Sequence, residues 1–280
     1  MLVFRTKKEL SNYISSLSKN ENLGLVPTMG ALHTGHASLV EKAVSENNTV
    51  VVSIFVNPTQ FDNKEDLAKY PNTLDADLDL LSNVSEGIVV FSPSADEVYD
   101  HKIEAKKYDF EGLDTVMEGA YRDDHFNGVG TIVEALLTLV KPNRAYFGEK
   151  DFQQLQIIRK LVEQQHIPVE IIGCPIVRET SGLAMSSRNE RLSKELRQKA
   201  SFIYSTLQAA KKKFGTESAN YVLNWVKNQF KEHVDLELEY IEITDVETLS
   251  PVTRKNENLK YRAFIAVYAG GVRLIDNIAL

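Results

Sequence analysis

Two imidazoles frame a glycine in His33-Thr34-Gly35-His36, directly after the stretch Pro27-Thr28-Met29-Gly30-Ala31-Leu32. Imidazole N–H groups donate to phosphate oxygens, and a glycine lets an anion come close to the backbone. A helix starting at about Gly35 would add free N–H groups at its N-terminus, an attraction of about 0.3–1 kcal/mol for an anion. The imidazoles must then supply much of the discrimination. Two such histidines could also be a metal pair or a solvated loop, but no third Cys, His or carboxylate stands nearby at ligand spacing for a metal, and the position after a Gly-flanked strand favours a phosphate site over a solvated loop.

A second group of polar residues is Gly182-Leu183-Ala184-Met185-Ser186-Ser187-Arg188-Asn189. Small hydroxyls followed by a guanidinium offer donors and a fixed positive charge that can follow a leaving pyrophosphate. Helix capping accounts for Ser193, which precedes Glu195, but explains Ser186 to Arg188 poorly. A third group is Gly148-Glu149-Lys150-Asp151-Phe152-Gln153-Gln154, where Lys150 can neutralise phosphate. Asp151 either accepts from ribose hydroxyls or caps a helix, and the sequence leaves both open. Gln60, in Asn57-Pro58-Thr59-Gln60-Phe61, is uncharged and can hold a hydroxy acid without competing electrostatically with a nucleotide.

These segments need a frame that brings strand ends and helix starts to one edge. Leu23 to Val26 reads as a strand ending at Pro27, and the nearly continuous β-branched stretch Thr49 to Val56 as one buried on both faces of a parallel sheet. Gly87 to Phe91, Ala145 to Phe147 and Val169 to Ile172 read as further strands. Val129, Ile132, Val133, Leu136, Leu137 and Val140 share one helical face, as do Phe152, Leu155, Ile158 and Val162. Such alternation predicts a parallel sheet wrapped by helices, with ligands beyond the carboxyl ends of the strands.

After about residue 176 the pattern changes. Leu196, Ala200, Ile203, Leu207, Ala210 and Phe214 predict one long amphipathic helix, Ala219 to Phe230 a second, and Leu236 to Ile243 and Tyr261 to Tyr268 two strands. The expected organisation is therefore an α/β fold: a Rossmann-like parallel-sheet domain over residues 1–176 and a smaller α+β domain over residues 177–280.

The 280 residues are 43% hydrophobic and 25% charged, as in ordinary soluble proteins. A net charge of −7 argues against a broad nucleic-acid surface, which relies on many Lys and Arg contacts to phosphate. The single cysteine, Cys174, sits in an apolar stretch and reads as a buried thiol rather than a nucleophile. The charged N-terminus lacks a signal-peptide core, and no apolar run approaches membrane-spanning length, so a cytoplasmic protein without membrane contact is expected.

Taken in order and at their separations, Val26 to Gly30, Leu32 to His36, Ser53 to Pro58, Gly148 to Leu155 and Gly182 to Asn189 resemble the motifs of the pantothenate synthetase family. The similarity runs from about Leu2 to Asn277. The resemblance implies a Rossmann-like nucleotidyltransferase domain with a C-terminal lid, a homodimer formed through the first domain, and condensation of pantoate with β-alanine using ATP and Mg²⁺.

It further implies that Met29, Gly30, Ala31, Leu32, His33, Thr34, Gly35 and His36 bind ATP, with His36 as proton donor. Gly148, Glu149, Lys150, Asp151, Val177, Met185, Ser186, Ser187 and Arg188 would complete the nucleotide site, and Gln60 and Gln154 would hold pantoate. Arg122 and His125 match a loop near the substrate, although Asp123-Asp124 replaces the Pro-Gly usual there. The two aspartates are expected to favour the charged form of His125 and to point to solvent or to another subunit. The metal ligands stay unassigned: Asp75 and Asp77 are candidates, and an exposed helix face would look the same.

Chemically, a carboxylate resists attack by an amine until its oxygen becomes a leaving group, which adenylation achieves. His33, His36, Lys150, Ser186, Ser187 and Arg188 are the groups expected to stabilise charge on the transferring phosphate. The rival readings are a transferase that adenylylates or cytidylylates a phosphate ester and a non-catalytic nucleotide-binding regulator.

Overall fold

The computed structural model describes residues 1–18, 20–61, 67–68, 70–99 and 102–280. The chain divides into two compact units, one of Met1–Glu149 with Gln154–Pro175 and the other of Lys150–Gln153 with Ile176–Leu280. Among the described residues no helix is long and apolar enough to cross a membrane.

In the first unit β1 (Leu2–Phe4), β2 (Leu23–Thr28), β3 (Thr49–Ile54), β4 (Val89–Phe91), β5 (Arg144–Gly148) and β6 (Glu170–Cys174) form one sheet in the order β1-β4-β3-β2-β5-β6. All its pairings are parallel. β3 is buried at every position, as its run of valines requires of a strand covered on both faces. The helices are α1 (Lys7–Ser16), α2 (Thr34–Glu46), α3 (Leu74–Val84), α4 (Ala95–Tyr99), α5 (Glu118–Tyr121), α6 (His125–Val140) and α7 (Phe152–Gln164), the last beginning with residues of the second unit. Val40 and Ala43 of α2 and Leu81 of α3 pack with Val26, Val52, Val90 and Tyr146 of the sheet.

The order of strands reverses beside β2, with β3, β4 and β1 to one side and β5 and β6 to the other. An open parallel sheet binds ligands at such a switch point, and the loop that leaves β2 there carries Met29 to His33.

β2 does not end at Pro27 but runs on to Thr28. Successive residues of a strand turn their backbone groups to opposite neighbours. Thr28 gives its carbonyl to Phe55 on the β3 side, so Pro27 faces β5, where the pairing already stops at Leu25. The missing N–H of Pro27 therefore costs the sheet nothing. β1 is an edge strand of three residues, too short for any periodicity to reveal.

The second unit contains α8 (Lys194–Lys199), α9 (Ser201–Phe214), α10 (Ala219–Lys231) and the antiparallel sheet β7 (Leu236–Asp245), β8 (Tyr261–Ala269), β9 (Val272–Ala279). Its core joins Ile203, Leu207, Ala210 and Phe214 to Val222, Val226, Ile241, Ile265 and Val267. The long helix expected from Leu196 to Phe214 is two segments. At Ala200 the amide is shared between the carbonyls of Leu196 and Gln198, a tightened turn that leaves the apolar face continuous. β9 was not expected. Its residues Asp276 and Asn277 interrupt the apolar pattern yet lie 5% and 2% exposed.

Candidate active site

α2 starts where its own histidines let it start. His33 is the N-cap, and its Nδ1 accepts the Gly35 amide at 3.1 Å, while Nδ1 of His36 accepts the His33 amide at 3.4 Å. The rings lie 4.1 Å apart, centroid to centroid. With both Nδ1 lone pairs engaged by N–H groups, a neutral imidazole at either position carries its proton on Nε2. Capping thereby turns both side chains into Nε2–H donors at the start of a helix.

The loop in front of them is held by a residue whose role the sequence did not disclose. Asp77 on α3 is 2% exposed, and its carboxylate accepts from the amides of Leu32 at 2.7 Å and Ala31 at 3.0 Å and from Thr73 Oγ1 at 3.2 Å. Gly30 and Ala31 stand at φ +81° and +49°, left-handed values that cost about 1 kcal/mol or more for a residue with a Cβ. Charge-assisted bonds from Asp77 offset that cost. A Cβ on Gly30 would also lie 3.0 Å from Asp77 Oδ2, so the position wants glycine for room as well as for conformation.

Of the two metal candidates, then, Asp77 is not on an exposed face and commits both oxygens to the loop, whereas Asp75 is exposed. Among the described residues no group of three or more His, Cys, Asp or Glu could hold a metal ion.

Gln60 ends the short turn Pro58–Gln60 after β3 and is 9% exposed. The polarity of its amide is set by a relay. Asn57, 1% exposed, donates from Nδ2 to the Gly128 carbonyl at 3.1 Å, and a carbonyl can only accept. The same Nδ2 donates to Gln60 Oε1 at 3.1 Å, which leaves Gln60 Nε2 to donate to Met29 Sδ at 2.7 Å. Gln60 thus meets its surroundings as a donor. Tyr99 and Thr59 donate to Asn57 Oδ1, and burial raises the Tyr99 hydroxyl pKa despite those bonds. Gly128 allows α6 to lie on this turn, since a Cβ there would collide with the Thr59 carbonyl.

Below Gln60 sit Arg122 and His125. His125 is 6% exposed and donates from Nδ1 to the Gln60 carbonyl at 2.8 Å, while its Nε2 accepts from Arg122 Nη1 at 3.1 Å. The charged form expected beside Asp123-Asp124 does not fit this arrangement, because Arg122 needs the Nε2 lone pair. Asp124 is exposed and bound by Lys107 and Asn127, and the Lys107 contact holds its carboxyl below the usual range. It stands at φ +59°, the left-handed position where the related pattern has Gly. Asp123 is exposed.

Gln154 is half-buried on the first turn of α7, and Gly148 and Glu149 end β5 and follow it in the first unit. Lys150 and Asp151 belong to the second unit, with Lys150 Nζ 3.7 Å from Asp151 Oδ1 and Asp151 exposed. The remaining sequence-predicted residues lie there too. The Met185 amide donates to the Val177 carbonyl at 3.0 Å, and Arg178 bridges to Ala184, closing a hairpin. Ser186 caps the following turn by accepting the Arg188 amide at 3.3 Å, and buried Asn189 ties that turn to Glu179 at 2.8 Å and to the Ala184 carbonyl at 3.0 Å. Ser186, Ser187 and Arg188 are half-buried. Cys174 is buried, with its thiol pKa pushed up to about 11 by burial, which keeps it an inert thiol.

The chain is similar to known proteins over its whole length. A family model described as pantoate–β-alanine ligase matches residues 2–279. The pantothenate synthetase of Christiangramia forsetii is 59% identical over 100% of this chain and 99% of its own, and that of Flavobacterium psychrophilum 51% identical over 100% of each. Among solved structures, pantothenate synthetase from Thermus thermophilus superposes with a TM-score of 0.90 at 39% identity, covering 99% of each chain. Pantoate–β-alanine ligase from Francisella tularensis, complexed with β-γ ATP and β-alanine, gives 0.81 at 37% identity over 100% of this chain and 97% of that one. A transferase acting on a phosphate ester is not favoured by these relatives.

Proposed function

Since the chain belongs to the pantoate–β-alanine ligase family and joins pantoate to β-alanine with ATP as co-substrate, we propose that it does so in two steps through a pantoyl adenylate, at the residues described above. The observation that carries this reading is the pair of capping imidazoles. Their Nε2–H groups stand at a helix N-terminus on the loop leaving β2, suited to the charge that gathers on a phosphate under attack.

In the first step the pantoate carboxylate attacks the α-phosphorus and pyrophosphate leaves. Met29 to His36, with Gly148 and Glu149, receive the nucleotide, and Asp77 keeps the loop in its strained form. His33 and His36 donate hydrogen bonds from Nε2–H to the phosphates, and the His36 proton stays on its ring, since Nδ1 is already an acceptor and a neutral imidazole that lost it would become an imidazolate. On the second unit, Lys150, Ser186, Ser187 and Arg188 are assigned to the charge of the departing pyrophosphate, and Asp151, Val177 and Met185 to the nucleotide. Gln60, fixed as a donor, suits a carboxylate or hydroxyl oxygen of pantoate, and Gln154 is its second contact. In the second step the β-alanine amine attacks the mixed anhydride and AMP leaves. No protein nucleophile is needed.

For Mg²⁺ the described residues do not fit a protein cage, because Asp77 is committed to the loop. Carried in with the nucleotide, the ion would supply positive charge to the phosphates. We assign the second unit the part of a lid domain, with 1–176 and 177–280 as working domains, and the protein the state of a cytoplasmic homodimer. A single buried thiol and a reaction that consumes ATP support that compartment, and light scattering tests the dimer.

The chemistry is tested by AMP release with pantoate, β-alanine and ATP, each omitted in turn, and by exchange of labelled pyrophosphate into ATP. Exchange with pantoate and ATP alone is expected. A strict requirement for β-alanine in the exchange would overturn the free adenylate.

A further inference from the structure

Within the second unit, adjacent residues of the last strand grip two segments that lie far apart in sequence. Asn277 donates from Nδ2 to the Lys150 carbonyl at 2.8 Å, and its Oδ1 accepts from Arg262 Nη1. The amide can take only this orientation, because a carbonyl accepts and a guanidinium donates. The Arg262 guanidinium lies 3.9 Å from the ring centroid of Phe152, so Lys150 to Phe152 is held at both ends. Asp276, 5% exposed, takes both terminal nitrogens of Arg178 at 2.6 and 2.9 Å. Arg178 in turn donates to the Gly182 carbonyl at 3.2 Å and stacks 3.6 Å above the Tyr204 ring.

Two buried polar residues in a strand otherwise apolar toward the core are costly unless their partners matter. Here the partners are the backbone of Lys150 and the base of the hairpin that carries Ser186 to Arg188. We infer that Asp276 and Asn277 are positioning residues for the phosphate-facing groups: Asn277 sets the place of Lys150, and Asp276, through Arg178, that of the Ser186–Arg188 turn. The inference rests on the assignment of Lys150 and Ser186–Arg188 to the phosphates, and it explains why β9 tolerates Asp276-Asn277 in its middle.

A double-mutant cycle on labelled pyrophosphate exchange tests it. Asn277→Ala is expected to slow exchange about tenfold or more, up to the roughly 10²-fold that a misplacement of about 1 Å can cost, with the KM for pantoate unchanged. In a Lys150→Ala background the same substitution should cost almost nothing further, because the group it positions is gone. Equal fold-losses in both backgrounds would show that Asn277 only supports the fold and would overturn the inference. If Lys150→Ala itself leaves exchange unchanged, the phosphate assignment fails, a result distinct from additivity.

Asn277→Asp keeps the size and the acceptor for Arg262 but sets an oxygen against the Lys150 carbonyl. It should reproduce the loss if Asn277→Ala does not fold, and wild-type exchange by a folded Asn277→Asp protein would overturn the inference. Asp276→Asn should couple in the same way to Arg188→Ala, and additivity there would remove Asp276 from the role.

Discussion

Two helix starts in the first unit use histidine in opposite senses. At α2, His33 and His36 accept backbone amides on Nδ1 and are left with Nε2–H donors. At α6, His125 gives its Nδ1 proton to the Gln60 carbonyl, and its Nε2 lone pair is taken by Arg122. The aspartates beside these starts differ as well. Asp77 is buried under loop amides, while Asp124 is exposed to Lys107. What a histidine can do chemically is thus decided by which backbone group meets Nδ1. The first pair is set up as Nε2–H donors, and His125 holds the Gln60 turn in place.

The largest expected effect falls on the donating pair. His36→Ala should lower turnover about 10²-fold or more, the usual scale for one lost transition-state donor. It should cost about 1 kcal/mol of stability, the usual scale for a lost capping contact. Steady-state kinetics and chemical denaturation measure both. A large stability loss with little loss of turnover would erase the distinction between the two helix starts.

Asp77→Asn replaces one accepting oxygen with a donor facing an amide. It is expected to cost about 2–3 kcal/mol of stability and to raise the KM for ATP more than that for pantoate. A shift confined to the Mg²⁺ requirement would return Asp77 to the metal.

His125→Ala should show the reverse of His36→Ala. Leaving the buried Gln60 carbonyl and Arg122 without this partner is expected to cost about 2 kcal/mol of stability and to raise the KM for pantoate, with ATP little affected. Gln154→Ala should raise the same KM without the stability loss. An ATP-specific defect in either variant would break the assignment of this side of the site to pantoate.

The smallest effect is expected from Asp123→Pro with Asp124→Gly, which changes turnover less than about tenfold, or 1.4 kcal/mol of barrier. Glycine relieves the left-handed strain at Asp124, and the Lys107 pair it removes is exposed and worth little. Because Lys107 holds the Asp124 carboxyl below its unfolded value, what this pair contributes is present above the unfolded pKa and fades as pH falls through the folded one. The double variant should therefore lack this small increment near neutral pH, and its difference from the parent protein on this account should vanish in acid. A larger fall in turnover would give the aspartates a site role.

Much of the architecture was legible because it depends on local pattern. The valine run of β3, the strand-helix alternation and the apolar face of α9 follow from side-chain period and burial, and the helix start at His33 to His36 follows the strand that the pattern predicted. What failed to read were elements whose polarity is compensated at a distance. β9 was hidden by Asp276 and Asn277, whose partners Arg178 and Lys150 lie 98 and 127 positions away.

The sequence by itself determined the fold class and the family, because those depend on pattern and type, and it supplied the candidates for the site. Only the tertiary structure decided their states: Asp77 as a loop anchor, Gln60 as a donor, and the proton on Nε2 of His33 and His36 but on Nδ1 of His125. Each of these is set by a hydrogen bond, and a tautomer or an amide orientation has no signature in the chain until its partner is in place.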